Sequence, residues 1–375
     1  MARRLATRLR TLGRAALASL ALRRRPSRGE VSRVLVAHNL LLGDTLMLTP
    51  LLAKLRQSFA AADIVMTVPP AIWPLYGGRP YGVRALPFDP RRPDTLDGLL
   101  RNPGYDLAFV PGDNRYSWLA RALGARWVVA FAGDQPGYKN WPVDECIPYP
   151  SVPSAWGDMV AGLLDGPEPE PYTADSWPAP ACGPFDMPFG PKAVLHVGAS
   201  SALKLWPVGR WAELASWLED RGLTPVWSGG PGEQRLVGEI DPPARYTNLA
   251  GRLDLAQMWR LIAAARIVVC PDTGIAHLGR LAGTPTVTLF GPGSAVICGA
   301  GRFWRNAPYR AVTVDPFECR NQNLLFRREI AWVRRCGRGS RECASPRCMQ
   351  AIDNDQVRQA VLALLPDRPS GSRHP

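Results

Sequence analysis

The chain has 375 residues, enough for two cores, and its 46% apolar content is that of a globular protein. No uninterrupted apolar run is long enough to cross a bilayer, which argues against a transmembrane helix. The net charge of +13 sits in two places: residues 1–30 carry nine Arg and one Glu, and residues 302–347 carry eleven Arg and four acids. Such local basicity suits nucleic acid, anionic lipid or a phosphorylated substrate.

In residues 1–30, Leu5, Leu9, Leu12, Ala16 and Leu20 share a helical face, with Arg3, Arg10 and Arg14 opposite. That is the pattern of an interfacial helix on an anionic leaflet; a solvated basic tail is the alternative. The apolar part, residues 15–22, runs into Arg23-Arg-Arg25 instead of a small-residue cleavage site, so it does not read as a signal peptide. An N-terminal domain follows over 31–164. Its expected elements are strands at Arg33–Ala37, Asp63–Val68, Leu107–Val110 and Trp127–Phe131, and a helix at Asp44–Phe59.

Prolines at 167, 169, 171, 178, 180, 184, 188 and 191 make 165–192 a linker without regular structure. A second domain, 193–350, starts with strand Ala193–Val197 and helix Pro207–Asp220. Strand Thr224–Ser228 and helices Gly232–Ile240 and Leu255–Ala264 follow. Strand Arg266–Cys270, helix Gly274–Ala282 and strand Thr286–Phe290 complete it, and residues 351–366 form a closing helix. Alternating strands and helices imply an α/β protein with two Rossmann-like, doubly wound parallel sheets facing a cleft.

Cys146, Cys182, Cys270 and Cys298 are scattered. Cys319, Cys336, Cys343 and Cys348 cluster, but without the paired C-x2-C units of a zinc site. Structural thiols or a local disulfide are expected there and no metal. The lack of a secretion signal favours reduced thiols.

Chemistry concentrates in Cys270-Pro-Asp-Thr-Gly-Ile-Ala-His277. An apolar strand stops at Asp272, and a helix starts at once. A Thr-Gly at a helix mouth offers backbone N–H groups and the positive dipole end to a phosphate. An ordinary turn capped by Asp272 or Thr273 is the alternative. Lys204 lies in the loop after strand Ala193–Val197. It is one of four lysines in an arginine-rich chain, and its ammonium could neutralise a diphosphate.

Several motifs recur in a fixed order. They are Leu42-Gly-Asp44; Leu195-His-Val-Gly-Ala-Ser200 with Lys204-Leu-Trp-Pro207; Gly229-Gly230 with Glu233; and Asp272-Thr-Gly-Ile-Ala-His277 followed by Gly283-Thr-Pro and Leu289-Phe-Gly-Pro292. In this combination the chain resembles glycosyltransferase family 9, the heptosyltransferase family of lipopolysaccharide core assembly, over roughly residues 31–365. The resemblance implies the GT-B fold and an inverting enzyme that requires no metal or cofactor. The donor would be a nucleotide sugar such as ADP-heptose, and the acceptor a lipid-linked core saccharide or related cell-surface glycan.

The resemblance also implies roles. Asp44 would be the catalytic base, with a helix N-cap as its alternative. Ser200 and Lys204 would meet the donor diphosphate. Asp272 would hold sugar hydroxyls, and the Thr273 and Gly274 amides would face phosphate. Glu233 would lie near the base or ribose. His277 would touch sugar or phosphate, or pack behind them, and His196 reads as a core residue. Two departures stand out. The segment His38–Leu42 is apolar where members are often polar or basic, and Gly293 stands where the family carries Thr. Another nucleotide sugar, or a non-catalytic nucleotide- or glycan-binding protein on this fold, is the alternative. Nucleic-acid binding leaves the motifs unexplained. The expected location is cytoplasmic, on the inner face of the bacterial inner membrane, where an anionic surface is a partner.

Overall fold

The computed structural model describes residues 2–18 and 24–365, with side chains described from Thr7 onward. The side chains of Arg3 and Leu5, all of Leu20 and Arg23, and residue 366 lie outside the described set. Two compact units form. One runs from the N-terminus to Ala181 and takes in Gly301–Arg305 and Asn323–Val333. The other comprises Cys182–Ala300, Asn306–Gln322 and the chain from Arg334.

The N-terminal unit holds α1 (Ala2–Ala18), β1 (Arg33–Val36), α2 (Leu42–Leu46), α3 (Thr49–Ser58), β2 (Asp63–Val68) and β3 (Arg84–Pro87). It continues with α4 (Pro93–Leu100), β4 (Tyr105–Val110), α5 (Tyr116–Ala122), β5 (Ala125–Phe131), β6 (Glu145–Ile147) and α6 (Trp156–Ala161). Its strands are parallel in the order β3-β2-β1-β4-β5-β6. Helices on the faces bury central strands such as β1, which explains its apolar run Val34–Val36 after Arg33.

The C-terminal unit holds β7 (Lys192–His196), α7 (Val208–Glu219), β8 (Thr224–Ser228), α8 (Gln234–Ile240), β9 (Thr247–Asn248) and α9 (Leu255–Ala263). Next come β10 (Ala265–Pro271), α10 (Gly274–Leu281), β11 (Thr286–Phe290), α11 (Ala295–Cys298) and β12 (Tyr309–Thr313). Its parallel order is β12-β11-β10-β7-β8-β9. Both sheets therefore follow the dinucleotide-fold order. Each has its switch point beside its first strand: β1/β4 in one unit and β7/β10 in the other. A short hairpin, β13 (Leu324–Leu325) and β14 (Arg328–Glu329), belongs to the N-terminal unit. Helices α12 (Arg347–Gln350) and α13 (Asn354–Leu362) close the C-terminal unit, where Trp206 Nε1 donates to Ile352 O at 2.9 Å.

Four expectations change. The helix expected over Asp44–Phe59 is two, because Pro50 lacks an N–H and begins α3 afresh. The proline-rich stretch is not simply a linker. Its first half packs on the N-terminal unit through buried Tyr172 and Trp177, and Trp177 Nε1 donates to Leu75 O at 3.2 Å. The segment 193–350 is not one unit. The Asp158 carboxylate accepts the Arg302 and Phe303 amides at 2.7 and 3.1 Å, drawing 301–305 into the N-terminal unit.

The N-terminal segment, finally, is not a detached tail. Helix α1 packs on α5 and α4, with Thr7 and Ala15 buried and Arg10 paired to Asp97 at 2.5 Å. Leu9, Leu12 and Leu17 stay exposed. None of the described helices is long and apolar enough to cross a membrane.

Candidate active site

In the C-terminal unit the switch-point loops gather most of the predicted donor residues. Strand β10 ends at Pro271, and Thr273 caps α10, its hydroxyl accepting the Ile275 amide at 3.3 Å. The capping turn is therefore present. The cap satisfies one amide, and the rest of the first turn still carries the dipole. Asp272 is buried, and its amide donates to Leu289 O at 3.0 Å.

Lys204 leaves the loop after β7 and crosses the switch point. Its Nζ donates to Asp272 Oδ2 at 2.7 Å and to Asp272 O at 2.9 Å. Its side chain remains 25% exposed, so the ammonium forms part of an open wall. Gly293 lies against the same carboxylate: a Cβ there would stand 2.3 Å from Asp272 Oδ2.

His277 lies on α10, one turn beyond Gly274, and is buried. Burial, with the Arg280 and Lys204 charges adding to it, holds its pKa well below the ordinary value, so the ring is neutral. Its Nδ1 meets an Arg280 Nη2, which places the ring proton on Nε2. Arg280 is itself buried. It donates to Gly299 O at 2.6 Å and Cys298 O at 3.0 Å, and its guanidinium carbon lies 4.6 Å from the Tyr309 ring centroid. Arg280 is absent from the sequence-derived candidates. An arginine three residues after His277, on the apolar face of a helix, is the signal the sequence offers.

The remaining donor candidates are less direct. Glu233 does not present a free carboxylate. Its Oε1 accepts the Ala199 amide at 3.0 Å and its Oε2 accepts the Gly230 amide at 2.5 Å, tying together the loops after β7 and β8. Ser200 is exposed, whereas Ser201 caps the turn leading to Lys204. His196 is a satisfied core residue, 3.1 Å from Ser228 Oγ.

In the N-terminal unit, Asp44 lies half-buried in the first turn of α2, beyond the carboxyl end of β1. It is not the N-cap; Leu41 holds that position without a side-chain cap. The apolar loop before it encloses His38, whose Nδ1 accepts the Leu40 amide at 3.2 Å. Burial lowers the pKa of His38 to about 3, and its Nε2 has no hydrogen-bond partner.

Beyond β4 and β5 lies a charged cluster that sequence reading missed. Lys139 Nζ is 3.0 Å from Asp134 and 3.1 Å from Asp113, and Arg115 is 2.7 Å from Asp113. Arg328 donates to Ala132 O at 2.8 Å, Gly112 O at 3.1 Å and Asn114 Oδ1 at 2.7 Å. Burial pushes the Asp113 carboxyl up, but hydrogen bonds from Arg115 and Lys139 outweigh it and leave the pKa below the ordinary value.

Cys319, Cys336, Cys343 and Cys348 line one cavity of about 190 Å³, and all are free thiols. Among the described residues no three metal-ligating side chains stand together as a metal site would need.

The model of glycosyltransferase family 9 (heptosyltransferase) matches residues 96–308, more than half of the chain. The chain belongs to this family. It is therefore a glycosyltransferase. Lipopolysaccharide heptosyltransferase 1 of Pseudomonas aeruginosa is 27% identical over 295 residues, covering 72% of this chain and 81% of that protein. Two solved structures share the fold. The Escherichia coli ADP-heptose lipopolysaccharide heptosyltransferase II is 20% identical, with a TM-score of 0.67 over 89% of this chain and 98% of that one. The E. coli heptosyltransferase WaaC with ADP is also 20% identical, with a TM-score of 0.61 over 74% and 92%. With the two sheets described above, these likenesses give this glycosyltransferase the GT-B plan of two Rossmann-like units.

Proposed function

We propose that this glycosyltransferase moves a heptosyl group from ADP-heptose to a lipopolysaccharide core saccharide, inverting the anomeric centre without a metal. The observation that carries the reading is the Lys204–Asp272 pair across the β7/β10 switch point, at the mouth of α10. Lys204, the α10 amides and the buried Arg280 together give that site the positive potential a nucleoside diphosphate needs. Asp272 would turn to sugar hydroxyls once phosphate oxygens take up the Lys204 ammonium. The Thr273 and Gly274 amides would face phosphate, and His277, neutral and carrying its proton on Nε2, would act as a donor. Glu233 would keep the loop near the nucleoside in shape, and Ser200 would add a hydroxyl. The proposed base is Asp44. Its carboxylate would take the acceptor hydroxyl's proton as that oxygen attacks the anomeric carbon, while the bond to the diphosphate breaks and ADP leaves.

The relatives' names supply the heptose and the lipopolysaccharide core. A donor with another nucleotide or sugar is the second reading, favoured by glycine at 293 beside Asp272, which brings no side-chain hydroxyl to that wall. A peripheral position on the cytoplasmic face of the inner membrane is part of the proposal. Its support is the exposed Leu9, Leu12 and Leu17 on α1, beside the exposed Arg8, Arg10 and Arg14.

Calorimetry with ADP, UDP and GDP tests the donor side. ADP should bind most tightly, and Lys204→Ala should weaken it about 10- to 100-fold, the loss of one charge-assisted contact. Equal affinity in the wild type and Lys204→Ala would remove the diphosphate from this site, and preference for UDP or GDP would select the second reading.

A further inference from the structure

A cavity of about 420 Å³ lies wholly within the N-terminal unit, between α1 and the carboxyl edge of the sheet. Its sheet-side wall is built from the segments that follow β3, β4 and β5, where an open α/β sheet takes its ligands. That wall is aromatic: Phe88, Tyr116, Trp118 and Tyr138. Phe88 and Tyr116 meet edge-to-face at 6.4 Å, and Trp118 Nε1 donates to the Tyr138 backbone O at 3.1 Å, so these three rings are held in place while the Tyr138 ring stays half exposed. Arg8 on α1 and Arg115 after β4 also line the cavity, Arg115 while paired with Asp113 at 2.7 Å, and none of the described lining residues is a carboxylate. The volume falls in the range of small-ligand sites.

The composition selects the ligand. Flat aromatic faces suit the C–H faces of sugar rings, and two guanidiniums suit a carboxylate or phosphate on the same saccharide. An acyl chain would have to lie against both charges, an arrangement that burial penalises. We propose that this cavity binds an anionic sugar of the acceptor, stacked on Trp118 and Tyr138 and paired with Arg8 and Arg115. Helix α1 is then an acceptor-binding element as well as a membrane contact, because it supplies one wall. The inference rests on the glycosyl-transfer reading above for the identity of the ligand as acceptor.

The test uses the full chain and, as soluble probe, O-deacylated core oligosaccharide from a heptose-deficient strain. Arg8→Gln removes a charge, and Thr11→Trp fills the cavity from α1. Each should raise the acceptor KM about 10- to 100-fold while leaving kcat and ADP affinity near wild type. Circular dichroism and the ADP affinity show that the variants are folded. Saturation-transfer NMR of the same oligosaccharide, with a short-chain phosphatidylglycerol in a parallel sample, reads binding without turnover. The sugar signal should be strong with wild type and weak with Thr11→Trp. Unchanged KM in folded variants would overturn the assignment. So would a phospholipid signal that Thr11→Trp abolishes while the sugar signal persists, or the absence of any sugar signal with wild type. If wild type binds the oligosaccharide here yet transfers no heptosyl group to it, the proposed heptosyl transfer fails and the saccharide site stands.

Discussion

A methyl group on Gly293 would sit 2.3 Å from Asp272 Oδ2, and the atom it meets is the end of a side chain. Gly293→Ala should therefore displace the carboxylate from Lys204 before it disturbs the backbone. We expect a melting temperature near wild type and a donor KM raised about tenfold, the loss of roughly 1.4 kcal/mol. A variant that melts early with unchanged KM would mean that the loop yields instead. Asp44 gives a second prediction. Asp44→Asn keeps the shape of the first turn of α2 but removes the base, so kcat should fall about 10²- to 10⁴-fold with ADP binding intact. Turnover within a few fold of wild type would take the proton elsewhere. Most of these positions are legible in sequence because chain-local motifs carry them: a strand end, a Thr-Gly and a capping hydroxyl. Arg280 is not, since its importance comes from burial against His277 and from the Gly299 and Cys298 carbonyls, which only the fold brings near.

The elements differ in how openly they announce themselves. Helices α9 and α13 each begin with a capping box, Asp254 with Gln257 and Asp353 with Gln356, a signature readable four residues at a time. The hairpin β13–β14 has no such signature. Its turn residues Phe326 and Arg327 both have positive φ, where glycine or asparagine is usual. Packing overrides propensity there: Phe326 lies 4.9 Å from Trp156, and Arg328 is buried in the N-terminal unit. Helix α1 is an intermediate case. Its periodicity is plain, but the buried face proves to be the small one, Thr7 and Ala15, leaving Leu9 and Leu12 outward. If Leu9 and Leu17, which lie outside the cavity lining, enter the interface of an anionic membrane, the double variant Leu9→Glu with Leu17→Glu should lose sedimentation with phosphatidylglycerol vesicles. Its thermal stability should change little, because both side chains are exposed. Undiminished sedimentation would move membrane contact to another part of the surface.

At the scale of the whole molecule, two copies of one strand order fix where ligands can sit. The alternation of apolar strands and amphipathic helices, written out twice, is the part of the fold most legible in the sequence; the order of the strands comes from the folded chain. The return of 301–305 and 323–333 to the N-terminal unit is invisible in sequence, since the partners of Arg328 lie about two hundred residues away. Among the described residues are three buried histidines with lowered pKa values: His38 to about 3, His196 to about 4, and His277. Below pH about 6.5 the unfolded chain binds protons that these rings refuse in the folded state. Stability should therefore be flat above neutrality and fall as pH drops from 6.5 towards 4, by up to about 1.4 kcal/mol per pH unit for each ring. Urea midpoints at pH 7.5 and 5 measure this, and His196→Gln should reduce the slope; equal midpoints would show that the rings protonate in place.

The central claim is donor chemistry, and one measurement reaches it directly. Purified protein is incubated with ADP-heptose and heptose-deficient lipopolysaccharide core, and the acceptor is followed by mass spectrometry. The expected result is an acceptor heavier by one heptosyl residue, with one ADP released per transfer, no such product from Asp44→Asn on the same timescale, and no loss of activity in chelator. An unmodified acceptor beside a wild-type protein that binds ADP, or transfer from a UDP- or GDP-sugar in preference, would contradict it.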